Sequence, residues 1–320
     1  MKKIFIISDI GHNVGLGHFS RSKFLTNEIN SFFGKKIKIY NFYFSKKGIC
    51  FNKIKSIKII NLHNYILRKI NKISPDIVIF NVSRFLEPKL HEFAKLLKTH
   101  YNLKLIAIDG FIKKSEFFEK IWIPNVTLKY KKDFINRKIL YGWNKILIDN
   151  SKIKKKKNKK IKILFILGGT DKHKIGKYLP KLVEKKFDQN VNFLWIKGPY
   201  ASKPKIYNKK KWVIVKNKFN LKSIYKDIDV AFVVFGVSFF EIVYQGIPNV
   251  LFFHKKKTVD FHLINFLKKK KFDITSSLNK AVNILHSKIK FLKKSNVAAE
   301  RFSKYINFNN RKKFLREMLL

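Results

Sequence analysis

Three short apolar runs, each followed by glycine and then by a helical segment, constrain the fold more than any other feature of the chain. The runs cover residues 3–7, 161–167 and 229–235. Runs of this length, bounded by polar residues, are typical of strands buried on both faces of a parallel sheet. Because further short strands alternate with helical segments, parallel pairing is expected. The sequence therefore predicts doubly wound α/β sheets.

A lysine-rich run at residues 151–160 separates two such series of strands and helices. Like charges at this density repel each other and resist burial, as in extended linkers; the run could alternatively form a polyanion-binding strip. We predict an N-terminal α/β domain over residues 1–150 and a C-terminal one over 161–320, whose terminal helices could pack back on the first domain. Ligands of doubly wound sheets bind at the carboxyl ends of the strands, so a site is expected in a cleft between the two domains.

The formal charge of +51 favours a nucleic-acid-binding function at first sight, but the composition argues against it. Only seven of the 71 basic residues are Arg, the residue on which specific nucleic-acid recognition depends. The excess of Lys, Phe, Ile and Asn fits an A/T-rich coding sequence. We therefore expect no specific nucleic-acid partner, while weak peripheral attraction to an anionic membrane stays open.

The cysteine content and the apolar segments limit the chemistry and the location further. Cys50 is the single cysteine, which excludes an internal disulfide and a cysteine-rich zinc site. The first apolar run breaks at Ser8 and Asp9, too early for a signal peptide, and no run approaches the ~20 apolar residues that span a bilayer. We expect a cytoplasmic protein without a cofactor or a metal, of unknown oligomeric state.

The turn after the first strand combines glycines with an imidazole. Gly15 and Gly17 precede His18, and Ser20 stands where the dinucleotide fingerprint G-x-G-x-x-G has its third glycine. Glycines let the backbone approach a ligand, and the free N–H groups of a helix start favour an anion. His18 is therefore a candidate catalytic base, the alternative being a helix-start histidine bonded to backbone.

The turn after the strand at residues 161–167 repeats this arrangement without an imidazole. Gly168, Gly169 and Thr170 lead from the strand toward a predicted helix, whose N-terminus would suit phosphate. The alternative is a plain tight turn with Asp171 near the helix cap.

The third turn contains Gly236, Ser238, Phe239 and Glu241. As a structural feature, Ser238 would be the N-cap and Glu241, three residues later, would complete a capping box. As a functional feature, the helix N-terminus would bind a diphosphate while the two oxygens of Glu241 accept both ribose hydroxyls.

These segments together resemble the UDP-sugar hydrolase of pseudaminic acid biosynthesis (UDP-2,4-diacetamido-2,4,6-trideoxy-β-L-altropyranose hydrolase). Residues 9–21 are similar to its opening D…G-x-G-H-x-x-R, and residues 142–148 to its G-x-x-Y-x-L-I segment. Residues 167–171 resemble the start of its second half, and residues 238–248 its S-x-x-E…G-x-P segment. The matches cover roughly residues 1–270 in the expected order. The resemblance implies the B-type glycosyltransferase fold, with two Rossmann-like domains facing across a cleft.

The resemblance also implies an activity, namely metal-independent hydrolysis of a UDP-linked amino-deoxy sugar. His18 would take a proton from water that attacks the anomeric carbon, and UDP would leave. The residues implied in nucleotide and phosphate binding are Gly168, Gly169, Thr170, Gly236, Ser238, Phe239 and Glu241. The residues implied on the sugar side are Asp9, Gly15, Gly17, Arg21, Asn81, Ser83 and Asp109.

The departures from this family concern the sugar side. An aspartate of the family is replaced by Asn81, a tyrosine by Ser83, the second residue of an Asp-Asp pair by Gly110, and a glutamine by Asp260. The identity of the sugar therefore stays open. Two alternatives remain, namely a glycosyltransferase that moves the sugar to an acceptor and a nonenzymatic nucleotide-sugar binder.

Overall fold

The chain divides into two compact units. The structure is a computed structural model. It describes residues 1–11, 14, 16–46, 50–51, 54–83, 86–127, 138–149, 151–156, 158–171, 173–188, 190–216, 221–254, 261–292 and 304–320. Unit 1 comprises Met1–Ile148 together with Asn307–Leu320, and unit 2 comprises Asp149–Ile306.

Unit 1 is built around a parallel sheet. Its described strands are β1 (Lys2–Asp9), β2 (Ile37–Ser45), β3 (Cys50–Phe51), β4 (Ile54–Lys55), β5 (Ile57–Lys58), β6 (Ile77–Asn81), β7 (Lys104–Ile108), β8 (Lys120–Trp122) and β9 (Ile139–Leu140). Within the described residues, seven of them form one sheet in the order β5-β2-β1-β6-β7-β8-β9, and every pairing in it is parallel. β3 and β4 form a separate antiparallel pair.

Helices cover this sheet because the strands are apolar on both faces. The helices are α1 (Gly17–Phe33), α2 (Leu62–Ile73) and α3 (His91–Thr99), with 3₁₀ turns at Gly34–Lys36, Ile59–Asn61, Glu87–Leu90, Ile112–Phe117 and Trp143–Lys145. α2 and α3 contribute to one hydrophobic cluster and α1 to another, so successive strand residues are buried alternately against the two. Phe5 and Ile6 of β1, for example, belong to different clusters and are both fully buried.

Unit 2 repeats the architecture. Its strands are β10 (Ile161–Ile166), β11 (Val191–Lys197), β12 (Trp212–Lys216), β13 (Val230–Val234), β14 (Asn249–Phe252) and β15 (Ile274–Thr275). Its helices are α4 (Ile175–Lys186), α5 (Lys222–Tyr225), α6 (Val237–Tyr244), α7 (Phe261–Lys269) and α8 (Leu278–Lys290), with a 3₁₀ turn at Lys209–Lys211. The described strands pair in parallel in the order β12-β11-β10-β13-β14-β15. The predicted class of two doubly wound α/β sheets is confirmed.

The strand orders of the two sheets determine where a ligand can bind. In each sheet the order reverses beside the first strand, between β1 and β6 in unit 1 and between β10 and β13 in unit 2. The loops that leave the carboxyl ends of these neighbouring strands run in opposite directions and leave a crevice, which is the usual binding position in this fold class.

The last described helix, α9 (Arg311–Leu319), completes the core of unit 1. The guanidinium of Arg311 lies 4.7 Å from the ring of Trp122, and its Nε donates to the carboxylate of Glu28 on α1 at 3.0 Å. Both charged side chains are buried. Because a buried charge is costly unless it is paired, this ion pair fixes where α9 docks.

The lysine-rich segment before β10 is held to unit 2 by hydrogen bonds of its own backbone and of its polar side chains. The backbone N–H of Lys156 donates to the carbonyl of Lys226 at 2.9 Å, and Gln245 bonds both the carbonyl of Ser151 and the N–H of Ile153. Among the residues that the structure describes, no helix is long and apolar enough to span a membrane.

Candidate active site

The candidate site of unit 1 lies where β1, β6 and the first turn of α1 meet. Asp9 is the last residue of β1 and Asn81 the last residue of β6, the two strands at which the sheet order reverses. His18 is the second residue of α1, which begins at Gly17. The topology thus brings together three side chains that are far apart in the chain.

A single amide fixes the orientation of the His18 imidazole. His18 Nδ1 lies 3.0 Å from Asn81 Oδ1, and Asn81 Nδ2 donates to the His18 carbonyl oxygen at 2.7 Å. Because a carbonyl can only accept, the nitrogen of the amide must face it and Oδ1 must face the ring. The proton of neutral His18 therefore resides on Nδ1, and Nε2 carries the lone pair.

Two buried serines complete this network. Asn81 Nδ2 lies 2.8 Å from Ser22 Oγ and 3.2 Å from Ser8 Oγ, and the two hydroxyls are 2.6 Å apart. Ser8, Ser22 and Asn81 are fully buried, so no water competes for these bonds. The network holds the amide in one orientation and, through it, the imidazole.

The surroundings of His18 keep the imidazole neutral. His18 is 8 % exposed. Burial lowers the pKa of its imidazole, and the positive charge of Arg21 lowers it further. Asp9, whose Oδ1 lies 4.0 Å from His18 Nε2, opposes this effect but does not outweigh it. A neutral imidazole with its lone pair on Nε2 can accept a proton at neutral pH.

Asp9 and Ser83 bind each other. The backbone N–H of Ser83 donates to Asp9 Oδ1 at 2.9 Å, and the hydroxyl of Ser83 donates to Asp9 Oδ2. Asp9 is 2 % exposed. The resemblance placed both residues on the sugar side, whereas their polar atoms here are used to fix the carboxylate beside His18.

Arg21 and Asp109 form the more open part of the site. Arg21 Nη1 lies 2.7 Å from Asp109 Oδ2, and the side chain of Asp109 is 35 % exposed. Asp109 and Phe111 both have positive φ, 65° and 61°, which is unusual for residues with a Cβ. Glu87, which sequence reasoning missed, supports this loop by accepting from the backbone N–H of Phe111 at 2.7 Å.

Of the two glycines of the first turn, the structure describes only Gly17. Gly15 lies outside the described residues. A Cβ at Gly17 would meet only Arg21 Nη2, at 4.0 Å, among the described atoms. The fold itself therefore does not require glycine at position 17, which is consistent with a position that a ligand approaches.

In unit 2, the turn at Gly168, Gly169 and Thr170 differs from the predicted phosphate-binding helix start. α4 begins only at Ile175, and its first N–H groups are already capped because Asp171 accepts from Ile175 and Gly176 at 2.9 and 2.8 Å. The predicted phosphate-binding helix start at this turn is therefore wrong, because the helix begins several residues later. The alternative, a tight turn followed by an aspartate cap, describes this segment.

This turn is packed against a glycine that the sequence did not single out. Gly168 has a φ of 80°, and a Cβ on Gly198 would lie 2.4 Å from its carbonyl oxygen. The backbone N–H of Tyr200 donates to the carbonyl of Gly169 at 3.0 Å. Gly198 is thus required for the close approach of two loops at the carboxyl ends of β10 and β11.

The third turn also departs from the predicted cap. α6 begins at Val237, so Gly236 occupies the N-cap position and Ser238 is already helical. The prediction that Ser238 and Glu241 form a capping box is therefore wrong. Phe239 is fully buried in the core of unit 2, so its side chain is not available to a nucleotide.

Glu241 binds a tyrosine instead of the helix backbone. Its Oε2 accepts from the hydroxyl of Tyr225 at 2.7 Å, and Ser238 also hydrogen-bonds Tyr225. Burial, with a smaller contribution from the negative charge of Asp149, raises the pKa of Glu241 to about 7 although the bond from Tyr225 lowers it. Burial raises the pKa of Tyr225 well above its ordinary value.

Among the described residues, no group of three or more His, Cys, Asp or Glu side chains is arranged to hold a metal ion.

Comparisons with solved structures identify the architecture. MurG of Acinetobacter baumannii matches the whole chain with a TM-score of 0.60 at 13% identity, covering 99% of that chain. The spinosyn rhamnosyltransferase SpnG matches with a TM-score of 0.62 at 8% identity, covering 99% of this chain and 100% of its own. The fold is that of B-type glycosyltransferases. A putative UDP-N-acetylglucosamine 2-epimerase from Listeria monocytogenes also shares it, with a TM-score of 0.55 at 10% identity over 99% of this chain and 95% of that one.

Sequence comparison gives one significant curated relative. An uncharacterized protein of Methanocaldococcus jannaschii is 30% identical over 283 residues, which are 79% of this chain. The match spans 56% of the relative's length, so the chain corresponds to little more than half of that protein. No family model matches the chain.

Proposed function

We propose that the chain hydrolyses a UDP-linked amino-deoxy sugar, with His18 as the general base. The observation that carries this proposal is the fixed tautomer of His18. The amide of Asn81 keeps the proton on Nδ1, and burial keeps the imidazole neutral, so Nε2 is a competent acceptor near pH 7. A buried histidine of purely structural function would not need a free lone pair at the ligand-binding edge of a doubly wound sheet.

The proposed reaction needs one proton acceptor and one leaving group. The water oxygen bonds to the anomeric carbon while the bond from that carbon to the diphosphate oxygen breaks, and UDP leaves with the bonding electron pair. One proton of the water moves to His18 Nε2. The carboxylate of Asp9, 4.0 Å away, then stabilises the imidazolium that has formed.

We assign different roles to the residues on the sugar side. Asn81, Asp9 and Ser83 position and stabilise His18, because their polar atoms are used in the contacts described above. Arg21 and Asp109 are the candidates for contact with sugar hydroxyl or acetamido groups, because Asp109 is partly exposed.

We assign nucleotide binding to unit 2. The turns at Gly168–Thr170 and at Gly236 leave the two strands beside which the sheet order reverses, the position expected for a diphosphate. Glu241 offers one carboxylate oxygen to a ribose hydroxyl, because Tyr225 donates to the other. One neighbour, SpnG, has been solved with thymidine diphosphate, which supports a nucleoside diphosphate as the ligand type.

Glycosyl transfer is the second candidate, and the neighbours favour it. MurG and SpnG share the fold, and the latter is a rhamnosyltransferase. In a transferase, His18 would deprotonate an acceptor hydroxyl instead of water, with the same tautomer and the same leaving group. The two functions therefore differ in what attacks the anomeric carbon and not in the residues that carry the chemistry.

The test is UDP release from a panel of UDP-linked sugars, without an acceptor, by the wild type and by His18→Ala. The panel includes the diacetamido-trideoxyhexose that the resemblance implies. Loss of a general base is expected to lower the rate by about 10²–10⁴-fold. His100→Ala is the matched control, because His100 is an exposed histidine of the same unit. Release of UDP only when an acceptor is added would replace hydrolysis by transfer, and equal rates for wild type and His18→Ala would remove His18 from the mechanism.

A further inference from the structure

Glu87 is connected to two loops of the candidate site in unit 1. Its backbone N–H donates to the carbonyl oxygen of Ser83 at 3.0 Å, and Ser83 in turn binds Asp9 beside His18. Its side chain reaches the loop after β7, where Oε1 accepts from the N–H of Phe111 at 2.7 Å. Glu87 therefore links the loop that leaves β6 with the loop that leaves β7.

The loop after β7 adopts a conformation that its own residues do not favour. Asp109 and Phe111 have φ values of 65° and 61°, a region that persists for residues with a Cβ only where the surroundings impose it. The N–H of Asp109 donates to the carbonyl of Trp122 at 2.9 Å. The ring of Phe111 is fully buried beside Phe118, with centroids 4.7 Å apart. Glu87 supplies the remaining constraint, because it is the acceptor for the N–H of Phe111.

The carboxylate of Glu87 also fills the space that a side chain at position 110 would need. A Cβ on Gly110 would lie 3.1 Å from Glu87 Oε2 and 3.4 Å from Glu87 Cδ. Gly110 is buried, and its φ lies outside the left-handed region, so its backbone conformation alone does not require glycine. Glycine is needed here because the carboxylate lies against it. This contact gives a physical reason for one of the sugar-side departures from the resembled family.

His91, the first residue of α3, is a third neighbour of the carboxylate. His91 Nε2 lies 3.8 Å from Glu87 Oε1, and the imidazole meets the ring of Phe111 edge-on, with centroids 5.6 Å apart. The side chains of Glu87 and His91 are only 18% and 24% exposed. Contacts with Phe111, Gly110 and His91 thus leave the carboxylate little freedom to move.

We propose that Glu87 is a positioning residue of the sugar side, whose carboxylate holds residues 109–111 so that Asp109 faces Arg21. Asp109 Oδ2 lies 2.7 Å from Arg21 Nη1, and the conformation of the loop determines this approach. The inference rests on the proposed function for the sugar as the ligand of Asp109 and Arg21. Because Asn81 and Asp9 hold His18 through other contacts, loss of the Glu87 carboxylate should weaken sugar binding more than it slows turnover.

The first experiment measures the kinetics of UDP release by the full chain, on a UDP-sugar that the wild type hydrolyses. Glu87→Ala should raise KM about tenfold and leave kcat within about threefold. Glu87→Gln keeps an acceptor for the N–H of Phe111 and should restore KM to within about threefold of the wild type. Glu92→Ala, at an exposed glutamate of α3, is the matched control and should change neither constant. An unchanged KM in Glu87→Ala, or no rescue by Glu87→Gln, would overturn the proposal.

The second experiment tests the contact between Glu87 and Gly110 with a double-mutant cycle. Gly110→Ala places a methyl group against a carboxylate that Phe111 holds, so it should raise KM in the wild-type background. In the Glu87→Ala background it should have no further effect, because the group that it displaces is absent. Equal increases of KM in both backgrounds would show that the two positions act independently, and would overturn the proposal.

The third experiment needs no catalytic activity. Hydrogen exchange of the Phe111 amide, followed by NMR, should be about tenfold faster in Glu87→Ala and unchanged in Glu87→Gln and Glu92→Ala. Equal exchange in Glu87→Ala and the wild type would show that Glu87 does not hold this loop, and would leave UDP-sugar hydrolysis intact. A wild type that releases UDP from no UDP-sugar would instead reject the proposed function, and the exchange rates would still decide whether Glu87 holds residues 109–111.

Discussion

The two units share one strand order but place chemically different groups at the point where it reverses. In unit 1, an amide held by two hydroxyls binds an imidazole, and these hydrogen bonds determine its tautomer. In unit 2, a carboxylate lies beside a buried tyrosine, and burial raises its pKa to about 7. The comparison shows that the topology fixes the place of a site, whereas the ionisable group placed there determines in which direction burial shifts its pKa, downward for His18 and upward for Glu241.

Removing the amide of unit 1 should have the largest effect. Asn81→Leu leaves His18 Nδ1 without its acceptor, and Ser8 and Ser22 without the amide donor. We expect the free energy of unfolding to fall by about 2–4 kcal/mol, measured by urea denaturation. UDP release should fall by at least an order of magnitude, because the tautomer is no longer fixed.

Asn81→Asp tests the tautomer of His18 separately from the charge beside it. The carboxylate can still accept from Nδ1, so this variant should retain more activity than Asn81→Leu. Its negative charge raises the pKa of His18, so the acid limb of the pH–rate profile should move to higher pH. Equal losses in the two variants, with no movement of the profile, would mean that Asn81 acts only as a packing residue.

The carboxylate of unit 2 should produce the next effect, on stability as a function of pH. Glu241 has a folded-state pKa of about 7, above its ordinary value of 4.5, so the folded protein holds this proton more tightly than the unfolded chain. Its contribution is fully present below about pH 4.5 and is lost as the pH rises through 7. Glu241→Gln should abolish about 1–3 kcal/mol of this pH-dependent loss, measured by urea unfolding at several pH values between 4.5 and 8. Parallel curves for the wild type and the variant would contradict the raised pKa.

A matched pair of hydroxyl deletions gives the smallest effects and the most direct comparison of the units. Tyr225→Phe removes the donor to Glu241, and Ser22→Ala removes one acceptor of Asn81; each should cost about 1 kcal/mol of stability. Only Tyr225→Phe should move the pH range over which stability is lost. We expect this range to move to higher pH, because the lost bond had lowered the pKa of Glu241. A shift of this pH range in Ser22→Ala, or no shift in Tyr225→Phe, would contradict the assignment of this titration to the Glu241 site of unit 2.

The sequence predicted the parts of this molecule that depend on local pattern. Short apolar runs identified the strands, whereas the glycines beside an imidazole made His18 a candidate base, which stays a prediction. The strand order and the hydrogen-bond partners depend on contacts between distant positions. Asn81 is 63 residues from His18, and its replacement of the family's aspartate was interpreted as a change of sugar contact instead of as the group that orients the base.

Helix starts were less predictable, for a related reason. The small residues Gly168–Thr170 are typical of a helix start, but α4 begins only at Ile175, where Asp171 caps its first N–H groups. The sequence pattern does not distinguish these two possible starts, whereas the hydrogen bonds of Asp171 do. Tyr225 carried no motif at all. Its role arises because the fold buries it against Glu241, 16 residues away.

The pairing of Glu28 with Arg311 has a consequence for how the protein is made. Unit 1 is interrupted in sequence, since Asn307–Leu320 belong to it and all of unit 2 is encoded between its two parts. A ribosome therefore delivers every strand of unit 2 before it delivers α9. During synthesis, unit 2 can fold while the hydrophobic cluster that includes Trp122 still lacks Phe314, Leu315 and Met318. The unit whose synthesis begins first is the last to be completed, and a nascent chain that stalls before α9 exposes that cluster to chaperones and proteases.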